Sequence, residues 1–136
     1  MEILSKSKEE TRAAGAQTAQ LARAGDVFGL IGELGSGKTE FVRGFVAALC
    51  SGCDVRSPSF SILNIYETPG FPIYHFDFYR LKKRAELIEI GFEEYVYGNG
   101  ICLIEWADMF PEVLSKSVKL IRFLDKGEGQ RMIAWV

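Results

Sequence analysis

A lysine and a threonine that follow a glycine-rich turn are the residues here with the most legible chemistry. Gly32-Glu33-Leu34-Gly35-Ser36-Gly37-Lys38-Thr39 fits G-x-x-x-x-G-K-[ST]. In that pattern backbone N–H groups cradle a polyphosphate, the lysine reaches its outer phosphates and the hydroxyl ligands Mg²⁺. Gly35, Ser36 and Gly37 would form the cradle, with Lys38 as the mobile ammonium and Thr39 as the metal ligand. Glycine is needed because the backbone must turn tightly and approach the phosphates closely.

Phosphate binding alone is not hydrolysis, which also needs a held metal and a positioned water. Two carboxylates could supply the rest. Glu105 follows Ile101-Cys102-Leu103-Ile104 and would emerge at the carboxyl end of a buried strand, the edge where open α/β sheets bind ligands. Asp77 interrupts the aromatic run Tyr74-His75-Phe76-Asp77-Phe78-Tyr79-Arg80. It could support hydrolysis, pair with Arg80 or cap a turn. His75, the sole histidine, suits packing or support of a neighbouring group better than general-base chemistry. Trp106 could be core or a partner-facing aromatic, and Arg80 and Arg84 are candidate charge-stabilising arginines or ordinary surface ones.

The elements that must place these groups can be read from the same sequence. Val27 to Ile31 is a short apolar run typical of a buried parallel strand. Phe41, Phe45, Ala48 and Leu49 recur at helical spacing, so Lys38 and Thr39 open a helix whose dipole favours phosphate. Ahead of this unit, residues 2–6 suit an edge strand. Ser7-Lys8-Glu9-Glu10 matches a capping box that starts a helix running to about Ala24, with Gly25 as its C-cap. Phe60 to Tyr66 and Ile73 to Tyr79 read as an antiparallel hairpin reversing at Thr68-Pro69-Gly70. Residues 84–97 read as helical, and a short helix is expected near Pro111 to Leu114. Val118 to Phe123 and Arg131 to Val136 should pair across Asp125 to Gly129. The expected fold is a single α/β domain over residues 1–136, with a mixed, partly antiparallel central sheet flanked by helices.

Composition sets the outer limits. With 136 residues, 48% hydrophobic and 25% charged, the chain is an ordinary globular domain. A net charge of −2 gives no basic footprint for autonomous nucleic-acid binding. No apolar run approaches the roughly 20 residues needed to span a bilayer, and the N-terminus lacks a secretory signal, so a cytoplasmic location is expected. Cys50-Ser51-Gly52-Cys53 has C-x-x-C spacing, which could mean a redox pair or half a zinc site, but one histidine and three cysteines do not complete a zinc site. Two small residues at a helix end is the simpler reading, and Cys102 reads as core.

Four motifs in register, Gly32 to Thr39, Ser57-Pro58-Ser59-Phe60, His75 to Arg80 and Glu105-Trp106, resemble the TsaE (YjeE) family over about residues 7–114. The resemblance implies an Mg²⁺-dependent P-loop ATPase needed to make threonylcarbamoyladenosine at position 37 of certain tRNAs. Such proteins act on the TsaB–TsaD heterodimer, activating or resetting it without themselves transferring the threonylcarbamoyl group, and meet tRNA through that complex. By motif, Lys38 and Thr39 take phosphate and Mg²⁺, Glu105 contributes to the metal site and Asp77 supports hydrolysis. The Ser57 to Phe60 loop resembles a nucleotide-sensing switch, and Thr11 matches a position near the base. Glu33 and Ser59 depart from the usual Asp and Thr; Ser59 keeps the hydroxyl.

ATP and Mg²⁺ are therefore the expected ligands. No N-K-x-D guanine-reading sequence is present, and the resemblance carries most of the choice of ATP. Two other readings stay open at this point. A small-molecule kinase would need an acceptor pocket and an arginine-bearing lid, and no long insertion here looks like a lid. A non-catalytic module would use bound nucleotide to order a loop that a partner reads.

Overall fold

Ser7 sets the start of the first helix. Its Oγ accepts from Glu10 N over 3.1 Å, satisfying a donor that the first helical turn leaves unpaired, while the Glu10 carboxylate reaches back to Lys6 N just ahead of the cap. In the computed structural model, which describes residues 1–55 and 61–136, this cap separates β1 (Glu2–Ser5) from α1 (Lys8–Leu21). Helix α1 stops short of Ala24, with Ala22 extended as its C-cap. One local and one tertiary contact end it: Asp26 Oδ2 accepts from Arg23 N, and Gly25 N donates to Gly100 O over 2.8 Å. Gly25, at φ +94°, turns the chain into the next strand and does not cap the helix.

That strand is β2 (Val27–Gly32), and α2 (Lys38–Leu49) follows the glycine-rich loop. The hairpin is β3 (Leu63–Tyr66) and β4 (Ile73–Asp77), with paired partners from Leu63↔Phe76 to Tyr66↔Ile73. The expected start of β3 at Phe60 lies outside the described residues, as does the whole Ser57 to Phe60 motif. The second strand ends at Asp77, two residues earlier than its aromatic pattern suggests. Asp77 Oδ1 accepts from Tyr79 N over 3.0 Å and starts a 3₁₀ turn, Phe78–Arg80. Residues 84–97 form two short helices, α3 (Ala85–Glu89) and α4 (Phe92–Val96). They are separated by Gly91 in the left-handed region at φ +74°, a conformation that glycine adopts at little cost. The chain finishes with β5 (Ile101–Glu105), 3₁₀ turns at Ala107–Met109 and Pro111–Val113, and the hairpin β6 (Lys119–Gly127) and β7 (Gln130–Trp135).

Together the strands make one mixed sheet, ordered β1-β7-β6-β2-β5-β4-β3. The central strand β2 runs parallel to both neighbours, with Leu30 opposite Glu105 on one side and Ile121 on the other. The hairpins β3–β4 and β6–β7, and the pairing of β1 with β7, supply the antiparallel pairs. Side-chain alternation divides the core into two layers. On one face Phe28, Leu30, Ile101, Leu103, Ile121 and Phe123 pack against Phe41 and Phe45 of α2. On the other, Val27, Phe76, Cys102 and Ile104 meet Leu87, Phe92 and Val96.

Helices α1 and α2 touch at backbone distance. A Cβ on Gly15 would stand 2.0 Å from Phe41 O, and one on Gly44 would stand 1.9 Å from Arg12 O. Glu40 of α2 braces the same pair through Arg12 of α1 at 2.6 Å and is itself held by Arg43, one turn along α2, at 2.5 Å. Cys50 and Cys53 do sit where α2 gives way to a loop, but the sulfurs are joined as a disulfide across a Cα separation of 5.6 Å. That corrects the reading of two unrelated small residues. Cys102 is core as expected, its thiol pushed up to about 12 by burial.

Candidate nucleotide and metal site

The loop between β2 and α2 owes its shape to two glycines. Gly35 lies at φ +78° and Gly37 at φ +105°, both in the left-handed region where a side chain costs energy. Ser36 N donates to Glu33 O and Phe41 N to Gly37 O, so the loop closes into a nest at the start of α2. Lys38 folds back over this nest. Its Nζ donates to Gly32 O at 2.5 Å, Glu33 O at 2.9 Å and, more weakly, Ser36 Oγ at 3.4 Å. The ammonium also stands 4.1 Å from the centre of the Trp106 ring, an arrangement that a ring quadrupole favours.

Trp106 reaches that position through its own backbone, a non-glycine residue at φ 59°. The turn sends the ring off the end of β5 and over Lys38, with Tyr79 packed on it at 4.9 Å between ring centres. Trp106 thus resolves as part of the loop's covering.

The sheet brings the two carboxylates together. Asp77 and Glu105 are register partners at the carboxyl ends of the parallel pair β4 and β5, and both are buried. Thr39 Oγ1 donates to Glu105 Oε1 over 3.2 Å. Glu105 Oε2 is engaged separately by His75 Nε2 at 2.5 Å. Asp77 caps the Phe78–Arg80 turn and makes no ion pair with Arg80, so the capping role is the one seen. Arg80 and Arg84 are exposed.

The electrostatics of the site are unbalanced in a way that fits a metal–polyphosphate ligand. Burial pushes the Lys38 ammonium below its ordinary value, opposed by Glu105, Asp108, Asp77 and Glu33. Burial likewise pushes the Asp77 carboxyl up; the Tyr79 N–H opposes this, and Glu105 adds to it. A bare polyphosphate would suit Lys38 but be repelled by Asp77 and Glu105. A divalent cation resolves that conflict, and a hydroxyl with carboxylate oxygens is a donor set for Mg²⁺, which takes few protein ligands and completes its shell with phosphates and water. Thr39 and Glu105 are the residues that would hold it.

Thr11 is brought to the same end of the sheet but is fully buried. Its hydroxyl pairs with Ser5 Oγ at 2.8 Å and donates to Ser7 O at 3.2 Å. Ser5 is the register partner of Arg131, a residue that sequence reasoning missed. Arg131 lies against the loop: a Cβ on Gly37 would fall 2.5 Å from its Nη1. Its Nε is the one buried side-chain nitrogen or oxygen without a hydrogen-bond partner among the described residues. Nothing in the sequence marks this arginine, because its proximity depends on how the last hairpin folds beside β1.

A family model described as "Threonylcarbamoyl adenosine biosynthesis protein TsaE" matches residues 5–133. The chain belongs to the TsaE family. Among TsaE proteins, those named "tRNA threonylcarbamoyladenosine biosynthesis protein TsaE" from Bacillus subtilis and Treponema pallidum are 39% and 34% identical to it. The first alignment covers 93% of this chain and 79% of the relative, the second 98% of each. The relative from Rickettsia prowazekii is 42% identical over 80% of this chain and 76% of its own length. The crystal structure of Bacillus subtilis YdiB superposes with a TM-score of 0.85 at 35% identity, covering 99% of this chain and 83% of that one. No helix among the described residues is long and apolar enough to cross a membrane.

Proposed function

We propose that this chain is an Mg²⁺-dependent ATPase that supports threonylcarbamoyladenosine formation on tRNA, working with the TsaB–TsaD heterodimer. The relatives' names support the pathway. The observation that carries the chemistry is the meeting of Thr39 and Glu105 at 3.2 Å, next to Lys38 at the start of α2. Family resemblance supports the partner and the choice of ATP.

In this reading Lys38 exchanges the carbonyls of Gly32 and Glu33 for the outer phosphate oxygens. The exchange relieves the electrostatic cost that burial imposes on its charge. The loop amides and the N-terminus of α2 hold the remaining phosphates. Thr39 and Glu105 hold Mg²⁺, which when bound neutralises charge that develops on the transferred phosphoryl group. Asp77, at the same strand ends, orients the attacking water, and Arg131 adds a cation beside Gly37. TsaB–TsaD reads the nucleotide state.

Measurement of ATP hydrolysis by the purified protein, alone and with TsaB–TsaD, tests the reading. Slow turnover alone and faster turnover with the heterodimer are expected. No dependence on either partner would count against it. Single-turnover assays in the full complex separate an ATPase from a module that only binds nucleotide.

A further inference from the structure

His75 is the only histidine of the chain and has no exposed surface, yet both ring nitrogens are engaged. Nδ1 lies 3.2 Å from the Tyr66 hydroxyl and Nε2 lies 2.5 Å from Glu105 Oε2. Tyr66 is itself buried, and its ring stacks on the imidazole with centres 6.0 Å apart and planes 29° from parallel. The other oxygen of the same carboxylate, Oε1, accepts from Thr39. A chain of contacts therefore runs from edge strand β3 through β4 and β5 to the first turn of α2: Tyr66, His75, Glu105, Thr39.

We propose that His75 is the positioning residue of Glu105, occupying Oε2 so that the carboxylate offers a single oxygen, Oε1, to the Thr39–Mg²⁺ site. The proposal rests on the metal-dependent reading above. The hydrogen-bond directions follow from valence. The Glu105 carboxylate can only accept, so Nε2 carries the ring proton and donates it; in a neutral imidazole Nδ1 is then an acceptor, and the Tyr66 hydroxyl donates to it. A carboxylate held on one side cannot rotate to chelate the cation with both oxygens. Groups that orient metal ligands in this way commonly change metal affinity by about 10–100-fold when removed. Tyr66 fixes the tautomer and so acts one step further out.

The decisive experiment is long-range ¹H–¹⁵N NMR of the ¹⁵N-labelled protein, in which the lone imidazole gives one unambiguous pattern. A bare Nδ1 and a protonated Nε2 are expected, with and without Mg²⁺·ADP; a proton on Nδ1 in the neutral ring would overturn the proposal. Mn²⁺ affinity of the ADP complex, followed by electron paramagnetic resonance, gives a second readout. His75→Leu should weaken Mn²⁺ binding by about 10-fold or more. His75→Gln, which keeps a donor near the Nε2 position, should stay within about threefold, and Tyr66→Phe should fall between them. Wild-type Mn²⁺ affinity in His75→Leu would also overturn the proposal. If that variant does not fold, His75→Gln, Tyr66→Phe and the wild-type tautomer decide. A wild-type protein that bound no Mn²⁺·ADP would instead sink the ATPase reading, with the tautomer result still standing.

Discussion

Thr39 and Glu105, 66 residues apart in the chain, share a hydrogen bond of 3.2 Å between hydroxyl and carboxylate. The pair exists because β2 and β5 run parallel and in register, which delivers Glu105 to the strand end from which the loop to α2 departs. Replacing the carboxylate with an amide preserves shape and an acceptor for His75 but lowers the charge available to a cation. Glu105→Gln should therefore lower Mg²⁺-dependent ATP hydrolysis by about 100-fold while changing nucleotide affinity little. Steady-state kinetics and fluorescent-nucleotide titration on the same preparation would check this; normal hydrolysis would remove Glu105 from the metal site.

In the proposed function, phosphate binding turns on Lys38. Lys38→Ala should abolish measurable ATP binding, because the loop then loses its outer-phosphate cation. Calorimetric titration would show it, and retention of wild-type affinity would mean that the phosphates dock elsewhere.

Arg131 has a contact with Gly37 and an unpaired Nε, so packing and charge make different predictions. If it serves the phosphates, Arg131→Ala should weaken ADP binding by about 10-fold. Arg131→Lys should recover part of that loss and Arg131→Met little. The reverse order would reduce Arg131 to a side chain that props the loop.

Asp77 gives a stability prediction with a defined sign. Its folded-state carboxyl is held above the ordinary value, first by burial. The native protein therefore binds that proton more tightly than the unfolded chain does, and stability falls as pH rises through the interval between the two values. Asn cannot ionise, and its Oδ1 can still accept from Tyr79 N. In EDTA at pH 7, Asp77→Asn should melt above wild type, and the gap should close below about pH 4, where both forms are neutral. The same variant should lose about 100-fold in hydrolysis. A melting temperature below wild type at neutral pH would refute the electrostatic part.

The contact between α1 and α2 is also open to test. Gly15→Ala and Gly44→Ala each force a methyl group into a facing backbone, and each should cost about 2–3 kcal/mol in urea unfolding. A loss near zero for either would mean that the helices separate easily.

Much of the site was legible because its parts are local. Gly32 to Thr39 sits between an apolar strand and an amphipathic helix, and Glu105 ends an uninterrupted apolar run, so type and position could be read together. The end of α1 was not legible: Ala22 and Ala24 favour helix, but Asp26 and Gly100 compete for the backbone donors of Arg23 and Gly25. Nor could the aromatic pattern end β4, since Phe78 and Tyr79 look like strand until Asp77 caps a turn. The roles of His75 and Arg131 depend on long-range pairing, as does the sheet order. The C-x-x-C spacing alone could not tell a disulfide from two independent thiols.

That sheet order has a consequence for synthesis. Strand β2 finds its two neighbours in β5 and β6, residues 101–105 and 119–127. A growing chain has made the glycine-rich loop that follows β2 long before either neighbour has left the ribosome. Strand β2, six residues with no polar side chain, must therefore wait with both edges unpaired while most of the chain is translated, a state that exposes it to association with other chains. The contact between Thr39 and Glu105 is a late event, since Glu105 is not yet present when the loop and α2 have been made; the full set of side chains comes together only once nearly the whole domain has emerged.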